Sequence, residues 1–153
     1  MLGIEIINAL KIEQDVFPSF KGIFAIDTIP RQLKPHTFII VNKDKISSSG
    51  SHWFACCYFN HQLQIFDSLG VDQEFINKNF NVWKHHDFYF NQTPLQPETS
   101  DSCGQFVIYF CLCRVLNPDI TFENLLSTIF TSELNKNEEI VQNYIQNKEF
   151  HEG

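Results

Sequence analysis

Among the five cysteines and six histidines of this 153-residue chain, one of each stands where a nucleophile and its base could meet. A cysteine attacks a carbonyl only as thiolate, and a helix N-terminus and a nearby imidazolium are the two commonest ways to stabilise that anion. Cys103 follows a polar stretch with Pro94 and Pro97 and opens an apolar run to Leu116. Ser102 and Gln105 have capping-box spacing, which puts Ser102 at the N-cap and Cys103 at the first helical position. Gly104 leaves the approach uncrowded. His52 begins one strand-like run, and Asp67 ends the run that returns from a turn around His61. Hairpin pairing about that turn brings His52 opposite Asp67 to Gly70, within one or two residues of register. A carboxylate there accepts the imidazole Nδ1 proton, fixes the tautomer and stabilises the imidazolium.

Acyl transfer also needs donors aimed at the tetrahedral oxyanion. The backbone N–H of Cys103 and the side-chain amide of Gln96, seven residues earlier, are the candidates, with Gln92 as the competing glutamine. Each residue has an ordinary alternative when taken singly: a core thiol for Cys103, a strand histidine for His52, a turn residue for Asp67 and a solvated loop amide for Gln96. Only their joint placement argues for a site. The chemistry requires no cofactor and no metal.

The positions of these residues depend on elements that the sequence also predicts. The Ile4-Ile7-Leu10 spacing suits an amphipathic helix that ends no later than Pro18. Strands are expected over Phe20 to Ile26, Thr37 to Val41 and Trp53 to Phe59, with Asn60-His61-Gln62 as a hairpin turn and Leu63 to Phe66 as the return. Asp72 can cap a helix from about Gln73 to Phe80, and Phe88 to Asn91 suits another strand. Gln92 to Asp101 reads as loop, and Cys103 to Leu116, apolar nearly all round, as a buried central helix. Asn117-Pro118-Asp119 stops it, and Thr121 to Phe130 and Asn137 to Asn147 predict two more helices before a frayed end from Phe150 to Gly153. This order indicates an α+β fold with a mixed, mostly antiparallel sheet rather than a βαβ series.

Composition sets outer bounds. With 43 % apolar and 19 % charged residues, the chain suits one compact domain over residues 1–153. A formal charge of −7 argues against a general nucleic-acid binder, which needs clustered cations. No run approaches the ~18 apolar residues of a membrane span, and the start lacks the marks of a secretory signal, so a soluble intracellular protein is expected. Cys56 and Cys57 are adjacent in a strand and point to opposite faces, and Cys111 and Cys113 miss the spacing of helix-borne metal ligands. Packing accounts for all four, and reduced thiols are expected. His85-His86 has no partner ligands at suitable spacing and reads as surface loop. Asp101 would oppose a thiolate at Cys103 unless it turns outward.

His52-Trp53, Phe66-Asp67-Ser68-Leu69-Gly70, Gln96 and Ser102-Cys103-Gly104-Gln105-Phe106 resemble the His-Trp, acidic-residue, Gln and Cys-Gly-x-Phe motifs of adenain, the adenovirus protease. Pro35-His36 leading into Ile39-Ile40-Val41-Asn42 is similar to the family's approach to its histidine, and Phe17 to Pro30 to its early segment. The seven-residue step from Gln96 to Cys103 fits adenain better than the related SUMO proteases, whose step is six and whose Cys directly follows an Asp. The resemblance implies a papain-like α+β fold with permuted elements, so that His and Asp precede Cys. It implies a cysteine endopeptidase with Cys103, His52, Asp67 and Gln96 as its catalytic residues. Its substrates would be capsid or core precursor proteins, cut at Gly-containing sites during virion maturation. The setting would be the host cytoplasm or nucleus and the virion, as for related enzymes of virophages and Polinton-type transposons. The adenovirus enzyme also takes an activating peptide through a disulfide, and DNA. Here no cysteine lies between Asp67 and Cys103, where the resemblance places the peptide's partner, and the charge of −7 does not favour DNA. The same triad would serve an isopeptidase for ubiquitin-like modifiers. An acetyltransferase or a binding module without turnover are more distant readings.

Overall fold

The computed structural model describes residues 1–44, 52–83 and 86–152, the last five of these by backbone alone. Along the chain run α1 (Gly3–Lys11), β1 (Phe20–Ala25), β2 (Thr37–Asn42), β3 (Trp53–Phe59), β4 (Gln62–Phe66), α2 (Gln73–Asn79), β5 (Phe88–Phe90), α3 (Cys103–Leu116), α4 (Phe122–Ile129) and α5 (Leu134–Glu152). Short 3-10 turns occupy Phe17–Ser19 and Asn81–Trp83. The fold is α+β around a five-stranded mixed sheet in the order β1-β2-β3-β4-β5.

The sheet is antiparallel only in its centre, where β3 pairs with β2 and with β4. The two outer pairs, β1 with β2 and β4 with β5, are parallel, so the sheet is mixed, as expected, with its longer ladders antiparallel. A parallel pair needs a crossover that returns the chain to the strand's starting edge, and α2 supplies one between β4 and β5. The β3–β4 hairpin turns through Asn60 and His61, both at left-handed φ of 53° and 60°, the geometry whose twist matches antiparallel strands. Gln62 already belongs to β4, so the turn is one residue shorter than expected.

β2 and β3 are buried on both faces, which is why their sequences read as nearly unbroken apolar runs. Phe38, Ile40, Ala55, Cys57, Phe59 and Phe66 face a core shared with α1, α3, α4 and α5. Ile39, Val41, Phe54, Cys56, Leu63 and Ile65 face a second core closed by Ile76 of α2, Phe80 and Trp83. Cys56 and Cys57 therefore point to opposite sides, as strand alternation requires. α3 is the central helix of the first side and packs on β3, α1, α4 and α5. Its one charged residue, Arg114, is fully buried, and it donates to Gln64 Oε1 at 3.2 Å and to the carbonyls of Asn117 at 2.6 Å and Ile120 at 2.5 Å. The guanidinium thus closes the end of α3 where backbone acceptors lack helical partners.

Two helices differ from expectation at their edges. Thr121 caps α4 by accepting from the Asn124 N–H, so the helix proper starts one residue later. α5 begins at Leu134 and continues through Glu152 where fraying was expected, since no glycine or proline interrupts it before Gly153, which lies outside the described residues. Among the described residues, no helix is long and apolar enough to cross a membrane.

Candidate active site

The β3–β4 ladder fixes the first contact. Ala55 pairs with Phe66 and Cys56 with Ile65, so His52 just before β3 and Asp67 just after β4 lie diagonally across the same end of the hairpin. The His52 ring meets the Asp67 carboxylate at 2.7 Å. The nitrogen involved is Nε2, which corrects the expectation that Asp67 would hold Nδ1. With Nε2 engaged by Asp67, Nδ1 is the ring nitrogen left for the hydrogen bond between His52 and Cys103.

Asp67 is itself tightly held and only 1 % exposed. Its Oδ1 also accepts from the Leu69 N–H at 2.9 Å, and the side chain of Asn91 brackets its backbone, accepting from Asp67 N at 3.1 Å and donating to Asp67 O at 2.6 Å. Oδ2 is buried without a hydrogen bond and has the Lys43 ammonium at 3.9 Å. Gly70, at φ +84°, lets the following turn tuck under the next loop, because a Cβ there would sit 2.5 Å from the Gln92 carbonyl oxygen. Phe66 stacks on Phe110 of α3 with centroids 4.4 Å apart, which docks the strand bearing Asp67 onto the helix bearing Cys103.

Cys103 opens α3 and is 7 % exposed. Burial alone would push its pKa up. Hydrogen bonds from the His52 side chain and the Trp53 backbone, with the charges of His52 and of the chain's terminal ammonium, outweigh that and bring it below the ordinary thiol value. For His52, burial lowers the pKa, and hydrogen bonds and charges from Asp67 and Cys103 more than compensate, raising it to about 9. Both shifts favour a thiolate–imidazolium pair. The other four cysteines go the opposite way, pushed up by burial, Cys57 to about 12 and Cys113 to about 11.

Two local expectations are corrected at the head of α3. Ser102 is the N-cap, but it makes no capping bond: its φ of −91° and ψ of 20° leave the extended region that a capping side chain needs, and its hydroxyl donates to Glu138 on α5. The first-turn N–H groups are thus not spent on a side-chain cap. The space over Gly104 is not open either. Packing of α1 on α3 brings Met1 there, and a Cβ on Gly104 would lie 2.8 Å from the Met1 sulfur. The Trp53 indole donates to the Met1 carbonyl at 2.9 Å.

Of the two candidate glutamines, Gln92 is exposed and Gln96 is 1 % exposed. Gln96 Oε1 accepts from Ser68 Oγ at 2.5 Å, and Nε2 donates to Ser100 O at 3.0 Å and, in a longer contact, to Ser100 Oγ at 3.3 Å. The loop from 92 to 101 is thereby tied to the residue after Asp67. Asp101 is exposed, as is His86, whereas His85 lies outside the described residues. Sequence reasoning did not single out Lys43, Ser68, Asn91, Ser100 or Glu138. Asn91 directly follows a strand and precedes a proline-containing loop, a signal shared by many loop residues, and nothing in the sequence sets it apart.

No family model and no curated protein matches the chain. The chemistry therefore rests on the geometry. A sulfur at a helix head, an imidazole beside it and a buried carboxylate behind that imidazole make a unit able to form a thioester from an activated carbonyl and hydrolyse it.

Proposed function

We propose that the chain is a cysteine endopeptidase of the adenain type, with a papain-like fold whose elements are permuted. The observation that carries this reading is the His52–Asp67 contact of 2.7 Å, with the same ring hydrogen-bonded to a Cys103 thiol of lowered pKa. In the proposed reaction the Cys103 thiolate attacks the scissile carbonyl carbon, and the carbonyl π electrons move onto oxygen. The oxyanion is held by the Cys103 N–H and by one N–H of the Gln96 amide, the one otherwise in the longer contact with Ser100 Oγ. Collapse breaks the C–N bond as His52 Nδ1–H protonates the leaving amine. A water molecule, deprotonated by the same nitrogen, then attacks the thioester and regenerates the thiolate. Asp67 keeps the ring oriented through both steps.

The substrates we propose are capsid or core precursor proteins cut at Gly-containing sites during virion maturation, in an infected cell and in the particle. This part rests on the motif resemblance alone. The test is cleavage of a Gly-Gly-containing peptide by the purified chain and by Cys103→Ala. Loss of all cleavage in the variant is expected, and full retention would sink the proposal. A ubiquitin-like fluorogenic substrate, run alongside, separates an endopeptidase from an isopeptidase.

A further inference from the structure

Glu138, on α5, touches neither the sulfur nor the ring, yet the head of α3 and the loop before it are anchored to it. Its Oε2 accepts from Ser100 Oγ at 2.8 Å, and its Oε1 accepts from Ser102 Oγ at 2.5 Å and from Gln142 Nε2 at 3.2 Å. Gln142, one helical turn on, also donates to Ser102 Oγ at 2.8 Å. Neighbouring Asn137 is fully buried and donates to Leu95 O at 3.0 Å, gripping the same loop from the same helix.

The directions of these bonds explain why a carboxylate is needed. Ser100 Oγ already accepts twice, from Ser102 N at 3.1 Å and from Gln96 Nε2 at 3.3 Å, so both lone pairs are used and its hydrogen must find an acceptor. Ser102 Oγ likewise needs an acceptor for its hydrogen, because Gln142 donates to it. Only an acceptor at both oxygens satisfies the set, and an ionised carboxylate is that group. Ser100 in turn orients the Gln96 amide and the Ser102 backbone, which leads directly into the Cys103 N–H.

We infer that Glu138 is a positioning residue for oxyanion stabilisation, setting both proposed donors at once through Ser100 and Ser102 without contacting the reacting atoms. The inference rests on the acyl-transfer reading of the site, though not on any particular peptide substrate. Glu138→Gln is the informative change. Its carbonyl can still serve Ser102 and Gln142, but its NH2 cannot accept the Ser100 Oγ hydrogen, which is left without a partner, so only the Ser100 arm breaks.

Two reactions of Cys103 on the full chain distinguish positioning from general damage. Alkylation by iodoacetamide passes through no oxyanion, whereas acylation by p-nitrophenyl acetate does. Glu138→Gln should lower the acylation rate about tenfold or more and leave the alkylation rate within twofold, with Glu138→Ala lower still in acylation. Ser100→Ala should reproduce the acylation loss, and combining it with Glu138→Gln should add little further. Equal losses in both reactions, or no loss in acylation, would overturn the inference, as would a wild-type Cys103 that is alkylated but never acylated. If the wild-type chain is acylated yet cleaves no peptide, the endopeptidase reading fails while the Glu138 inference is still decided by the rate ratio.

Discussion

At the scale of single residues, the opposed pKa shifts of the five cysteines make one of them chemically distinct. At pH 7 a limiting thiol-selective probe, mapped by peptide mass, is expected to label Cys103 ahead of Cys56, Cys57, Cys111 and Cys113, whose thiols burial holds protonated. The pH profile follows from the two groups of the pair. Alkylation should fall on the acid side as the thiolate is protonated, at a pH below the ordinary thiol value, and should stay high on the alkaline side. Cleavage should share that acid limb and also fall as pH rises through about 9, where His52 loses the proton the leaving amine needs. Asp67→Asn removes a charge that raises the His52 pKa, so its alkaline limb should move down and cleavage drop roughly 10- to 100-fold. An unmoved alkaline limb would show that Asp67 does not govern the ring. His52, Asp67 and Cys103 were legible because strand pairing and helix starts leave marks in sequence. The choice of ring nitrogen was not, since it depends on the angle at which the ring leaves the strand end.

At the scale of elements, the hairpin register and the 92–101 loop carry the site. The register could be read because Asn60-His61 is a short polar break between two apolar runs, and the length of a hairpin turn fixes which residues pair across it. The loop could be recognised only as a loop. What orders it are long-range side-chain bonds from Ser68 and from α5, which no local pattern encodes. Gly70→Ala places a Cβ 2.5 Å from the Gln92 carbonyl oxygen at a φ that disfavours a side chain. The loop and Gln96 should shift, with activity falling more than tenfold and stability by roughly 1–3 kcal/mol in denaturant titration. Arg114→Leu strips the donor from Gln64, Asn117 and Ile120 and should cost about 3 kcal/mol by the same measurement. An apolar helix such as α3 gave no hint that its one cation is an internal brace for the chain end that follows it.

At the scale of the whole molecule, the sheet separates two cores with different duties. The side holding α3 carries Cys103, whereas the side closed by α2 contains none of the four proposed catalytic residues and backs the strands that bear His52 and Asp67. Phe80→Leu on that far side should lower stability by roughly 1–2 kcal/mol and leave kcat of the proposed cleavage by the folded protein unchanged. A matching fall in kcat at temperatures where the variant is fully folded would show that the two sides are coupled more closely than packing through the sheet suggests. Element order gave the α+β class, but the parallel edges depend on where α2 and the segment before β2 return the chain, and connection paths leave no periodic trace. The start of the chain has a practical bearing. Met1 is pinned by the Trp53 indole over the first turn of α3, so anything joined ahead of it emerges near the head of that helix. A purification tag at that end would crowd incoming substrate, and trimmed protein should turn over faster than tagged protein in a side-by-side assay.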